Sequence, residues 1–279
     1  MNRTLIANGL ILDPVTESVK TSNIFIADDK IIAIDHPPDG FTADQTIDAN
    51  GLIITAGLVD LCARLREPGL EFKADIRSEV NAAASAGITT LCCPPDTDPV
   101  IDEPAVVELI HRKAVEAGKT RVHTLGALTS GLEGKLLSEM YALKAAGCVG
   151  VSNSRKPVSN TLILRRAYSY AASCGITVFI EPDEHWLSAG GCAHDGPVAT
   201  RLGLQGIPVS AETVAISRAL ELIHETGVKA HFGRLSSVQG VEMIRRAKEY
   251  GMDITADVSA HQLFLNEMDI NSFNSMCHV

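Results

Sequence analysis

Five short stretches concentrate the residues able to do chemistry. "DLCARLREPG" (60–69) places Cys62, Arg64, Arg66 and Glu67 just after an apolar run, "GLVDL". "CCPPDTDPV" carries Asp96, "GVSNSRKPV" carries Asn153 and Ser154, and "FIEPDEHW" carries Glu181 and Asp183. "KAHFGRLSS" adds His231 and Arg234. Arginines two residues apart on a strand point to one side. Their charges repel unless carboxylates stand between them. Such a set can build a charge-paired lattice or hold an anion. It is poor in the neutral imidazoles that transition metals favour.

The elements that must position these residues follow a rhythm. From residue 55 onward, apolar strand-like runs alternate with amphipathic segments: "GLVDL", "ITTLCC", "RVHTLGAL", "CVGVS", "ITVFIE", "VKAHFG" and "MDITADV". Between them lie helical patterns such as "DEPAVVELIHRKAVEAG" and "NTLILRRAYSYAASCG", closed by Ala-Gly, Cys-Gly or Thr-Gly. Sustained βα alternation implies a parallel sheet. A doubly wound sheet would carry a Gly-rich phosphate turn after its first strand, which is missing here. The expected fold class is α/β, a (β/α)8 TIM-type barrel over residues 55–279. Its last strand is not in the given sequence, so the chain is expected to continue beyond Val279. In such barrels the strand C-terminal ends carry the chemistry. Here these are Cys62–Arg66, Cys93–Asp96, Val151–Arg155, Ile180–Asp183 and Phe232–Ser236. Residues 1–54 read differently, as short β-rich runs broken by Asn-Gly, Asp28-Asp29 and Pro-Pro. They are expected to form a small β-sandwich part with a hairpin turn at Asp28-Asp29.

Composition narrows the function classes. The 279 residues are 46% hydrophobic with net charge −10, which disfavours nucleic acid and anionic membrane surfaces as partners. No apolar run reaches spanning length and the N-terminus lacks a signal-peptide layout. Seven cysteines without a CxxC pair point to reduced thiols and a cytoplasmic setting. Cys92 and Cys93 read as strand core.

Together the quoted segments resemble the dihydroorotase branch of the amidohydrolase superfamily. "DLCARLREPG" is similar to its Asp-x-His-x-His-x-Arg-Glu-Pro-Gly, "CCPPDTDPV" to Met-Pro-Asn-Thr-x-Pro, and "GVSNSRKPV" to Phe-Ser-Asp-Asp-Gly. "FIEPDEHWLSAGGCAHDG" resembles the stretch that opens His-Cys-Glu-Asp, "HFGRLSS" resembles His-Val-x-His-Val-Ser, and "ADVSAHQLFL" resembles Glu-Val-Thr-Pro-His-His-Leu. The resemblance implies one or two zinc ions in active relatives. The positions matching their ligands are Cys62, Arg64, Asn153, Glu181 and Arg234. Arg66 and Asp96 match substrate-binding positions, and His231 and His261 match histidines outside the metal's immediate ligands.

The departures imply that these metal-ligand positions are vacated, because a guanidinium does not deprotonate and repels a cation. No metal, no cofactor and no catalytic residue are expected. The chain is then similar to the non-catalytic dihydroorotase-like chains that accompany aspartate transcarbamoylase. This implies a structural or assembly subunit for its catalytic chain, within a hetero-oligomer of pyrimidine biosynthesis. Arg64 and Arg234 are expected to enter the old metal space and pair with Glu181, Asp96 or Asp183. Two alternatives stay open. One is a cyclic-amide hydrolase with a single zinc on Cys62, Glu181 and His231. The other is a metal-free binder of an anionic metabolite through Arg66. Simpler roles stand beside these: Arg66 held by Glu67 or the following loop, Glu67-Pro68-Gly69 as turn chemistry, Cys62 as a packed thiol, and His194 in a plain loop.

Overall fold

A computed structural model describes residues 2–277. The terminus at Val279 lies outside these residues. The chain divides into two compact units, Met1–Leu58 and Val59–Val279.

In the N-terminal unit, β1 (Arg3–Asp13), β2 (Ser18–Ala27), β3 (Lys30–Ile34), β4 (Gln45–Asp48) and β5 (Ile53–Ile54) form one sheet. Its order is β3-β2-β1-β4, with β5 also on β1. Among the described residues this unit holds that one sheet. Asp28 and Asp29 both have positive φ (49° and 63°) between Ala27 and Lys30. That is the backbone of a two-residue hairpin whose twist matches its strands. Asn8-Gly9 is no break. β1 runs through it with a register shift, and Asn8 (φ 62°) takes a bond from its own N–H to Asn23 Oδ1 at 2.9 Å. A Cβ on Gly9 would fall 2.2 Å from the Ile54 side chain, so the bulge needs glycine.

The larger unit is built on a seven-stranded sheet. Its strands are β6 (Leu58–Asp60), β7 (Ile88–Cys93), β8 (Arg121–Ala127), β9 (Gly150–Ser152), β10 (Thr177–Ile180), β13 (Ala230–Phe232) and β14 (Ile254–Ala256), paired in that order. From β7 to β14 every pairing is parallel. Between strands come α1 (Ile76–Ser85), α2 (Pro104–Ala117), α3 (Met140–Ala145), α4 (Thr161–Cys174), α7 (Ser210–Thr226) and α8 (Val238–Glu249). After β10 the chain inserts α5 (His185–Ser188), β11 (Ala193–His194), α6 (Pro197–Leu202) and β12 (Gly206–Ile207), with β11 and β12 paired apart from the main sheet.

Helix ends are specified locally. Asp75 and Ser78 form a capping box at α1, Asn160 and Ser237 cap α4 and α8, and left-handed Gly118, Gly175 and Gly227 end α2, α4 and α7. The apolar core lies between sheet and helices. Ile76, Val80, Leu91, Val107 and Ile110 pack on one side of the unit. Val151, Tyr168, Val178, Ile216 and Phe232 pack on the other. The polar ends of the parallel strands then gather on one side of the sheet. No described helix is long and apolar enough to cross a membrane.

Candidate functional site

Successive strand ends converge on one carboxylate. After β6, the Ala63 N–H bonds Cys92 O on β7 at 2.9 Å, so Cys62 and Arg64, on either side of Ala63, turn together. Arg64 donates from Nε to Asp96 Oδ2 at 2.9 Å and from Nη2 to Ser154 Oγ at 3.3 Å. Its Nη1 lies 3.7 Å from Cys62 Sγ and its Nη2 3.9 Å from Glu181 Oε1. Arg234 bonds the other oxygen, Glu181 Oε2, through Nη2. One carboxylate thus faces two guanidiniums, and one of these also holds Asp96. Asp183 joins neither arginine and lines a neighbouring cavity instead.

Backbone strain aims the arginines. Arg66, Ser154 and Arg234 all adopt left-handed φ (64°, 50° and 58°), at about 1–2 kcal/mol each for a residue with a side chain. Arg234 is fixed there by its N–H, which donates to Asp257 Oδ1 at 2.6 Å. Asp257 Oδ2 in turn lies 3.1 Å from His231 Nε2, and His231 Nδ1 lies 2.8 Å from Thr255 Oγ1. Asp257 was missed in the sequence. The one signal for it, an acidic residue just past a strand, does not say which loop it holds.

Charge within the site is settled. Burial works against the Arg64 guanidinium, but Asp96 beside it, with Cys62 and Glu181, raises its pKa above the ordinary value. Burial and then Glu181 push the Cys62 thiol up, against Arg234 and Arg64, so it stays protonated and unready as a ligand or nucleophile.

The remaining positions do other work. Asn153 is buried and staples its own loop: its Oδ1 accepts from Thr129 Oγ1 at 2.7 Å, and its Nδ2 donates to Lys156 O at 2.6 Å and Leu132 O at 3.3 Å. Glu67 does not hold Arg66. It bonds Lys113 and accepts the Ile76 N–H at 3.0 Å, capping α1 from outside. Arg66 is half-buried in a cleft with Arg64, Pro68 and Asp96, its guanidinium without a bond among the described residues. Gly69 has φ 104° in a turn where a Cβ would strike Asp98, as turn chemistry requires. His261 is exposed on a short 3-10 turn, which corrects its expected place behind the site. His194 Nε2 lies 3.8 Å from Glu267 in the insertion.

The donor set does not fit a zinc ion. Glu181 presents both oxygens to guanidiniums, the Cys62 thiol holds its proton, and Asn153 is turned into its loop. Both His231 nitrogens are engaged, so a site on Cys62, Glu181 and His231 would have to break those bonds and evict two fixed cations. Among the described residues no three His, Cys, Asp or Glu side chains cluster as a metal set.

The Dihydro-orotase-like family profile matches residues 51–239. The chain belongs to the dihydroorotase-like family. A Dihydroorotase-like protein of Pseudomonas putida is 45% identical over 269 residues, 96% of this chain and 63% of the relative. A Dihydroorotase of Geobacter sp. (strain M21) is 37% identical over 274 residues, 97% of this chain and 64% of the relative. The chain therefore spans under two thirds of the length of these family members. Among solved structures, L-hydantoinase (dihydropyrimidinase) from Arthrobacter aurescens superposes with a TM-score of 0.81 over 98% of this chain and 62% of its own, at 22% identity. A D-hydantoinase gives 0.70 over 96% of this chain and 60% of its own, at 21% identity. This likeness establishes the TIM-barrel fold expected from the βα rhythm.

Proposed function

We propose that this dihydroorotase-like chain is a metal-free, catalytically silent subunit that supports the assembly of aspartate transcarbamoylase as a cytoplasmic hetero-oligomer in pyrimidine biosynthesis. The observation that carries the reading is Glu181 clamped between Arg64 and Arg234. Closure of carbamoyl aspartate to dihydroorotate, and its reversal, relies in active relatives on zinc to polarise a carbonyl and to make hydroxide at neutral pH. Guanidiniums give neither service here, since their donors are committed to Asp96, Ser154 and Glu181. The partner is supported by resemblance to the non-catalytic chains that accompany the transcarbamoylase. It also agrees with the naming of the Pseudomonas relatives as Dihydroorotase-like proteins rather than dihydroorotases.

The test joins three measurements. Elemental analysis before and after zinc loading is expected to find near zero zinc per chain. Assays in both directions are expected to show no dihydroorotase turnover. Co-expression with the transcarbamoylase catalytic chain is expected to give a stable complex on size exclusion. One tightly held zinc with turnover would overturn the silent reading, and separate elution of the two chains would overturn the partner.

One observation favours a second reading, an anion binder: the Arg66 guanidinium has no bond among the described residues. Loss of metabolite binding in Arg66→Ala alone would support it.

A further inference from the structure

A cavity beside the arginine clamp shares Ser154 and Glu181 with it, but its far wall is built from residues the proposed function leaves unused. It lies between α4, α7 and the C-terminal end of β10, with a cavity volume of about 50 Å³. That exceeds the roughly 10–15 Å³ that one water needs and suits only a ligand of a few heavy atoms. Its walls are mostly apolar, among them Leu164, Val178, Ala215 and Ala219. Two polar groups break that surface. Tyr168 on α4 is 2% exposed, and no hydrogen bond reaches its hydroxyl among the described residues. Arg218 on α7 has a buried Nε without a partner and makes no ion pair among the described residues. Both residues line the same cavity.

A buried guanidinium nitrogen left without a partner destabilises the fold. A fold retains such groups where something else completes them. A guanidinium beside a hydroxyl donor matches a planar carboxylate, which accepts in parallel from the fork. Glu181 and Asp183 also line the cavity, and Lys156 is the one further cation on its wall. Glu181 is neutralised by its two arginines, whereas Asp183 makes no ion pair among the described residues. A dianion such as phosphate is disfavoured beside Asp183, while a ligand hydroxyl or amino group has an acceptor there. We propose that this cavity binds a small organic monocarboxylate, its carboxylate held by Arg218 and the Tyr168 hydroxyl and its short apolar body by α4 and α7.

The test uses the 279-residue chain with L-lactate, propionate and inorganic phosphate, each at about 10 mM, followed by ligand-observed NMR and titration. L-Lactate is expected to bind best and phosphate least. Arg218→Met is expected to weaken L-lactate roughly 10- to 100-fold, and Tyr168→Phe, which keeps the ring packed, about tenfold. The Tm of Arg218→Met without ligand is the second readout. A binding arginine left unpaired in the fold predicts an unchanged or higher Tm. A fall of more than about 3 °C would make Arg218 a structural residue and overturn the proposal. So would phosphate binding as tightly as L-lactate, no binding of either carboxylate, or undiminished binding in both variants.

Discussion

Arg234 and Glu181 meet across two adjacent strand ends, and their pairing is dictated by register. Ile180 on β10 lies opposite Phe232 on β13, and the Gly233 N–H closes onto Ile180 O at 2.9 Å. Glu181 and Arg234 are therefore the first outward-reaching side chains on either side of that bond. Left-handed φ at Arg234, locked by Asp257, turns its guanidinium onto the carboxylate. Arg64 approaches the other oxygen from β6. The carboxylate is the keystone of the cluster, and the arginines are its two supports.

Removing that keystone leaves two guanidiniums facing each other. Breaking a buried pair costs about 3–5 kcal/mol, and these side chains are 19–30% exposed, so Glu181→Gln is expected to cost about 1–3 kcal/mol. Urea denaturation measures it. Adding Arg234→Met should recover part of the loss, because the second variant removes the charge the first one stranded. Strictly additive costs would show that the ion pair carries no coupling.

If the arginines are what excludes zinc, replacing them restores a site. In the double variant Arg64→His, Arg234→His, Cys62, Glu181 and the two new imidazoles supply thiol, carboxylate and nitrogen donors at adjoining strand ends. About one zinc per chain is expected in elemental analysis of the double variant, against none in the parent. Binding would also release protons, as the Cys62 thiol must ionise. A double variant that stays metal-free would mean that more than charge keeps zinc out.

Much of this arrangement was legible in the sequence, for physical reasons that differ by element. The seven strands and most of the helices announce themselves because apolar period and Gly C-caps are local signals. Asp28-Asp29 reads correctly for the same reason. Asn8-Gly9 does not, because a bulge and a hairpin turn ask for the same positive φ. Helix α3 starts only at Met140, although the apolar pair Leu136-Leu137 precedes it. Ser138 Oγ bonds Ala127 O and Leu137 bridges Thr129, so tertiary contacts claim that turn first. The insertion carrying α5, β11, α6 and β12 has elements too short to leave a period. The arginines at 64 and 234 were visible as charges out of place. Their geometry rests on Asp257, some 23 residues from Arg234 in sequence, and on Asn153 turning away, neither of which has a local cue.

The Asp257 anchor makes part of the stability acid-sensitive. Its carboxyl is held below the ordinary 3.8 by the His231 hydrogen bond foremost, then, against burial, by the Arg234 N–H. A carboxyl whose folded pKa is depressed contributes its full stability above the unfolded value and loses it as pH falls through the folded one. Denaturation midpoints should therefore drop below about pH 4 in the parent. Asp257→Asn should be less stable at pH 7 and show a shallower acid decline. An unchanged slope would mean that Asp257 is not the titrating anchor.

Thiol reactivity separates a packed Cys62 from a metal thiolate. Burial pushes Cys92 and Cys93 up to about 12, and raises Cys62 and Cys148 as well. For the first two, the thiolate fraction at pH 8 is on the order of one in ten thousand. Cys192 is exposed. Alkylation with iodoacetamide at pH 8, read by peptide mass spectrometry, is expected to modify Cys192 first. Cys62, Cys92, Cys93 and Cys148 should stay protected until denaturant is added. Rapid labelling of Cys62 in the folded chain would require a lowered pKa at that position, the property a zinc ligand needs and that Glu181 beside a buried thiol opposes. Slow labelling, unchanged by added zinc, would leave Cys62 as packing beneath the arginine clamp.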